Sequence, residues 1–211
     1  GIKTPWIIKW PENVKEGSIT NSLVSSVDIG KTFLSLAGVS NFIGSEGKDL
    51  SKILFDPEIK IRSTVYAEDH WHDFEDYSRA IRTEKYKYIR NFYPDLPNTP
   101  SADALRSPTF RSMQKLRAEG NLTEVQLSCF ISPRAEEELY DIKNDPSELN
   151  NLAADNKYSE IMKEFRTEMD RIRMETNDTL PLKRTPDEFD RETGQPNQFR
   201  IRPRASKVEM R

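Results

Sequence analysis

Three things are scarce in this 211-residue sequence. There is one cysteine, there are two histidines, and the AVILMFWYC set makes up only 35% of the chain against 32% charged residues. A lone Cys129 excludes an internal disulfide and a cysteine-based zinc site. The apolar share lies below the about 45–50% of an ordinary globular domain, so the chain has less core material than its length suggests. No apolar run approaches the roughly 18 residues that a membrane span needs. Positive charge is not in excess either: 32 Lys+Arg face 35 Asp+Glu, a formal net charge of -3, which excludes the basic footprint of a nucleic-acid binder. The opening Gly1-Ile2-Lys3-Thr4-Pro5 shows no basic stretch followed by an apolar one, and the chain does not start with Met. The compartment is therefore left open. What is present is aromatic: 3 Trp, 7 Tyr and 10 Phe rule out wholesale disorder, and the length suits one or two domains.

Trp6-Ile7-Ile8-Lys9-Trp10, bracketed by Pro5 and Pro11, reads as a short buried strand. Val27, Phe33, Leu34, Leu36 and Ala37, ending at Gly38, predict a helix over about 26–37 with a glycine stop. A strand and a helix of this kind make a fragment of an α/β layer, whose sheet must be completed from elsewhere. Residues 62–67 are β-prone and lead into the polar cluster Glu68-Asp69-His70-Trp71-His72-Asp73. Residues 77–82 and 86–92 then alternate with period two around Thr83-Glu84-Lys85, which predicts an antiparallel hairpin. The stretch 94–133 holds five prolines and reads as a long loop with a helical turn around Phe110 to Leu116. Residues 137–141 read as an edge strand, and Asp145-Pro146-Ser147-Glu148 has the form of a helix start with a capping box. Tyr158, Met162, Phe165, Met169 and Ile172 step by 4, 3, 4 and 3, the stripe of a long helix from about Asn156 that packs on a sheet. After Asp178 the chain is polar, with a basic tip at Arg200, Arg202, Arg204, Lys207 and Arg211.

Chemistry-bearing residues are few. Cys129 has only Arg134 near it in sequence to support a thiolate, so an incidental cysteine is the better reading. His70 and His72 would share a face if the strand continued through them, which would suit a metal, an anion or a substrate contact; a plain surface loop is the remaining option. Arg79 carries a fork fitted to carboxylate, sulfate or phosphate, beside the reading of an ordinary surface arginine. No complete triad, phosphate loop or paired-carboxylate motif is present.

Several segments in order resemble one family. Gly1 to Pro11 resembles the "G-I-R-x-P-x-I-x-x-W-P" stretch of type I sulfatases of the alkaline phosphatase superfamily. Ser26-Val27-Asp28-Ile29 with Phe33 to Val39 is similar to their "V-D-x-x-P-T-x-L-x-L-A-G" helix, with Lys31 where proline is usual. Gly47-Lys48-Asp49-Leu50 resembles the following "G-x-S-L" step. Glu138-Leu139-Tyr140-Asp141, with Asp145-Pro146-Ser147-Glu148 and Leu149 to Ala153, resembles "E-L-Y-D-x-x-x-D-P-x-E-x-x-N-L-A". Within the family, residues 77–91, 134–141 and 173–178 look closest to the heparan N-sulfatase (sulfamidase) branch.

The resemblance implies an α/β fold that becomes α+β in its C-terminal part. Residues 1–75 would end the large domain, 76–180 would form a small antiparallel sheet backed by a long helix, and 181–211 would be a polar tail. It implies a sulfatase of sulfated glycosaminoglycan sugars, with N-sulfoglucosamine preferred, in which a formylglycine attacks sulfur while Ca2+ offsets the sulfate charge. Cys129 lacks the flanking C-x-[PA]-x-R pattern, so the nucleophile and the calcium ligands are expected upstream, in a missing N-terminal part of the enzyme. The substrate, a sulfated oligosaccharide, would meet His70, His72 and Asp73, with Arg79 bracing that loop or pairing with an acid. A periplasmic, secreted or lysosomal site is implied, and a homodimer is left open. A phosphoesterase or phosphonate hydrolase of the same superfamily, and a non-catalytic carbohydrate-binding module, remain as alternatives.

Overall fold

The structure is a computed structural model that describes residues 2–39, 44 and 46–198. Among these, four strands form one antiparallel sheet in the order β1 (Val65–His70), β2 (Tyr77–Arg82), β3 (Tyr86–Asn91), β4 (Glu137–Asp141). The hairpin is as the alternation predicts: Thr83 donates its N–H to the Tyr86 carbonyl at 2.8 Å and its hydroxyl accepts from the Tyr86 N–H at 2.9 Å. On one face of the sheet, Ile81, Tyr88 and Leu139 are buried against Met162, Phe165 and Met169 of the long helix α6 (Ser159–Glu175). The Tyr88 and Phe165 rings stack with centroids 5.6 Å apart. The methionine and aromatic stripe is thus core. This sheet with its helix is an α+β unit.

The family-like segment after β4 protects that edge strand. Asn151 accepts the Leu139 N–H at 3.0 Å, donates to the Glu137 carbonyl at 3.1 Å, and Leu152 donates to the Leu139 carbonyl at 2.8 Å. No helix begins at Asp145, contrary to the sequence pattern. Its carboxylate accepts from the Leu149 and Asn150 N–H groups at 2.9 and 2.8 Å, while Glu148 takes a left-handed backbone (φ 55°) and pairs with Lys87 instead of closing a capping box.

Two further expectations are corrected. Residues 6–10 form no strand: Ile7 is 90% exposed, and no strand pairs with this stretch among the described residues. The predicted helix beside it does form, as α1 (Asp28–Leu36). It ends in a Schellman motif, with Val39 donating to Leu34 and Gly38 to Ser35, and Gly38 sits at φ 77°, where a Cβ would be strained. A short α2 (Ser51–Phe55) follows.

The proline-rich stretch is not a loop but a run of short helices, α3 (Ala102–Leu105), α4 (Pro108–Ala118) and α5 (Glu124–Leu127). Ser107 caps α4 by accepting the Phe110 N–H at 3.2 Å with Pro108 in the first turn, and Thr123 with Gln126 makes a capping box on α5. The polar stretch after Asp178 folds back on these helices, so that Phe189 joins Phe74, Ala102, Leu105 and Phe110 in a second small core. The basic tip from Arg200 onward and the leading Gly1 lie outside the described residues.

Candidate functional site

The second core sets the stage for a cleft at the end of the sheet. Pairing between β1 and β2 stops at His70 opposite Tyr77, so Trp71 and His72 lie beyond the strand and the shared-face argument for the two histidines does not apply. Both still line one cleft. A cleft of about 210 Å³ is lined by Asp69, His70, His72, Asp73, Asp76 and Asn98, among others. His70 lies on the face of Tyr77, with ring centroids 5.9 Å apart and a 23° tilt. The His72 side chain is 76% exposed, its Nδ1 3.4 Å from an Asp73 carboxylate oxygen.

Asp73 and Arg79 serve differently. The other oxygen of Asp73 accepts the Ala102 N–H at 2.9 Å, so this carboxylate fixes the first turn of α3 and stands at the back of the cleft. Arg79 does not line the cleft at all. It is 2% exposed, and its fork grips Asp178 through Nε and Nη2, both at 2.7 Å, while Nη1 donates to the Asp69 carbonyl at 3.1 Å. Arg79 therefore pairs with an acid, and with Nη1 also donating to the Ser78 carbonyl at 2.9 Å, most of its N–H groups are engaged within the chain. Asp178 also accepts the hydroxyl of Tyr66 at 2.9 Å and that of Tyr77. The Arg79 guanidinium and the two tyrosines hold the Asp178 carboxyl far below the usual carboxylate range, against the opposing effect of burial.

The residues that the sequence reading did not single out include two acids, Asp69 and Asp76. Asp69 is exposed, yet partial desolvation, followed by the nearby charge of Asp76, pushes its carboxyl up. Asp76 accepts from Arg134 and from the Tyr77 N–H. The quoted cluster around His70 contained Asp69, but Asp76 and Asn98 come from separate segments and carried no spacing signal. Among the described residues, no group of three or more His, Cys, Asp or Glu is arranged to hold a metal ion. Cys129 donates weakly to the Gln126 carbonyl, and burial pushes its thiol up, the reverse of an activated thiolate.

The fold is that of the sulfatases. The chain superposes with a TM-score of 0.58 at 23% identity on BT4656 in complex with its substrate D-glucosamine-2-N,6-O-disulfate, covering 87% of this chain and 30% of that one. On BT1596, a 2-O GAG sulfatase, the TM-score is 0.50 at 27% identity, covering 76% of this chain and 27% of that one. The chain belongs to the family described as N-sulphoglucosamine sulphohydrolase, C-terminal, whose model matches residues 1–128. It is 36% identical over 173 residues to the ulvan-active sulfatase of Formosa agariphila, which covers 81% of this chain and 28% of that protein. It is 24% identical over 189 residues to the human N-sulphoglucosamine sulphohydrolase, covering 84% of this chain and 38% of that one. The chain therefore spans about a third of the length of the curated relatives it matches. Among the described residues, no helix is long and apolar enough to cross a membrane.

Proposed function

We propose that this chain supplies the sugar-facing wall of a sulfatase that hydrolyses sulfated saccharides, with N-sulfated glucosamine of heparan-type glycans as the preferred substrate. The observation that carries the reading is the cleft that His70 and His72 both line at the open end of the sheet, in a chain of this family. Its lining combines carboxylates and imidazoles with Arg191, groups that together accept from and donate to ring hydroxyls, so the cleft suits the hydroxyl-bearing side of the sugar. His70, held on the Tyr77 ring, and exposed His72 are the contacts; Asp73 fixes the loop, and Arg79 anchors it through the Asp69 carbonyl.

A formylglycine and calcium, expected outside this chain, would supply the nucleophile and the charge that sulfate transfer needs. A periplasmic, secreted or lysosomal site suits polymeric substrates of this kind. In the full-length enzyme, His70→Ala and His72→Ala are expected to lower kcat/KM on N-sulfated oligosaccharides by roughly ten-fold or more. Unchanged values would end this reading. A second reading rests on the 36% identity to the ulvan-active sulfatase: the same cleft would then take ulvan oligosaccharides. Side-by-side rates on heparan and ulvan fragments decide between the two, and aryl sulfate against aryl phosphate tests the phosphoesterase alternative.

A further inference from the structure

The loop that carries the cleft's second histidine is tied to a distant part of the chain. Within it the His72 N–H reaches the Phe74 carbonyl at 3.4 Å. Besides the Ala102 N–H on the Asp73 carboxylate, several of the contacts that hold the loop arrive from more than a hundred residues away. Trp71 Nε1 donates to the Pro186 carbonyl at 2.9 Å, Glu188 N–H to the Asp73 carbonyl at 2.9 Å, and Glu75 N–H to the Asp187 carboxylate at 2.7 Å; the Thr185 N–H donates to the Glu75 carboxylate. Arg191 completes the attachment. Its Nη2 donates to the Glu75 carbonyl at 2.7 Å, its Nη1 to the Thr99 hydroxyl at 3.0 Å, and its Nε to Asp187 at 2.7 Å, with the guanidinium 5.1 Å from the Phe74 ring centroid. One planar group thus joins the histidine loop, the 97–99 turn and the C-terminal segment.

We propose that residues 185–191 form a strap that sets the position of the histidine loop, with Arg191 as its positioning residue. This deepens the saccharide reading and rests on it for its functional consequence. Backbone contacts of this density fix a loop that would otherwise sample many conformations, and a side chain displaced by about an ångström loses most of its value to binding. The strap is itself anchored at Gly194, at φ 67°, where a Cβ would lie 2.7 Å from the Ala102 carbonyl oxygen.

The test uses the full-length enzyme with Arg191→Ala, Arg191→Lys and Gly194→Ala. Backbone hydrogen exchange is measured at residues 72–76 and at the strands, and KM and kcat are measured on a sulfated oligosaccharide. In Arg191→Ala the loop amides are expected to exchange roughly ten-fold faster while strand protection is kept. KM is expected to rise roughly ten-fold with kcat changed by less than about three-fold. Lysine, which keeps the charge but lacks the fork, recovers part of the KM. Gly194→Ala gives the same pattern with Arg191 intact, and decides the matter if Arg191→Ala fails to fold. Loop exchange equal to wild type, or faster loop exchange with an unchanged KM, overturns the proposal, as does equal loss of protection in loop and strands. If the His70 and His72 variants turn out silent, the saccharide reading fails, while the exchange measurement still judges the strap.

Discussion

The sheet with α6 and the first sixty residues are held together by opposite means. In the sheet, Ile81, Tyr88, Leu139, Met162 and Met169 are almost completely buried against each other, and the hydrogen bonds are those of a regular ladder. In the first sixty residues, polar stitches do the holding. Buried Asp28 accepts from the Ser25 and Lys48 N–H groups, both at 2.7 Å, and pairs with Arg62; the Thr32 hydroxyl accepts from the Leu50 N–H at 3.0 Å; the Thr20 hydroxyl donates to the Pro57 carbonyl at 2.6 Å. Meanwhile Ile7, Ile19, Val27 and Phe33 face outward. The difference teaches which region contains its own solvent-excluded partner. Burial of apolar area stabilises the sheet unit locally, whereas the first region has fixed its backbone while burying Leu50 and Ile53 and leaving many of its other large apolar side chains uncovered in this chain.

Breaking the polar anchor of the sheet unit should have the largest effect. Arg79→Ala leaves Asp178 partly buried without its guanidinium and is expected to cost about 3–5 kcal/mol in urea unfolding. The pair also has a pH signature. Because the folded carboxyl of Asp178 titrates below its unfolded value, its contribution is fully present above the ordinary carboxylate range of about 4 and is lost as pH falls through and below it. The acid branch of the stability curve should therefore be shallower in Asp178→Asn than in wild type, and an identical slope would sink the assignment. Next in size, Leu139→Ala opens a cavity under α6 and is expected to cost about 2–5 kcal/mol. At the other extreme, Ile7→Ala in the same 211-residue chain should change stability by less than about 0.5 kcal/mol. If Ile7→Ala cost as much as Leu139→Ala, the contrast between the two regions would collapse.

Much of the sheet unit was legible. Period-two alternation in 77–82 and 86–92 and the stripe from Tyr158 to Ile172 need only local geometry, and the strands and helix formed there, β3 ending one residue earlier at Asn91. The start signals of α4 and α5, Ser107-Pro108 and Thr123 with Gln126, were also present, but five prolines in the surrounding stretch read more strongly as loop. Asp145 misled in the other direction, because Lys87 lies across the sheet edge to draw Glu148 away from a capping box, and that contact spans 61 residues. The site divided in the same manner. His70, His72 and Asp73 stood out as a polar cluster after a β-prone run, while Asp76, Asn98 and Arg191 reach the region from three other stretches with no common spacing.

The sequence by itself determined the strands of the hairpin, the face of the long helix and the family, because these depend on residues within a few turns of each other or on motifs in order. Only the tertiary structure decided that Arg79 turns inward to Asp178 and that a polar C-terminal segment closes over Phe74 and holds the histidine loop. Those outcomes rest on groups about a hundred residues apart finding complementary charge and hydrogen-bonding geometry, which no local pattern encodes.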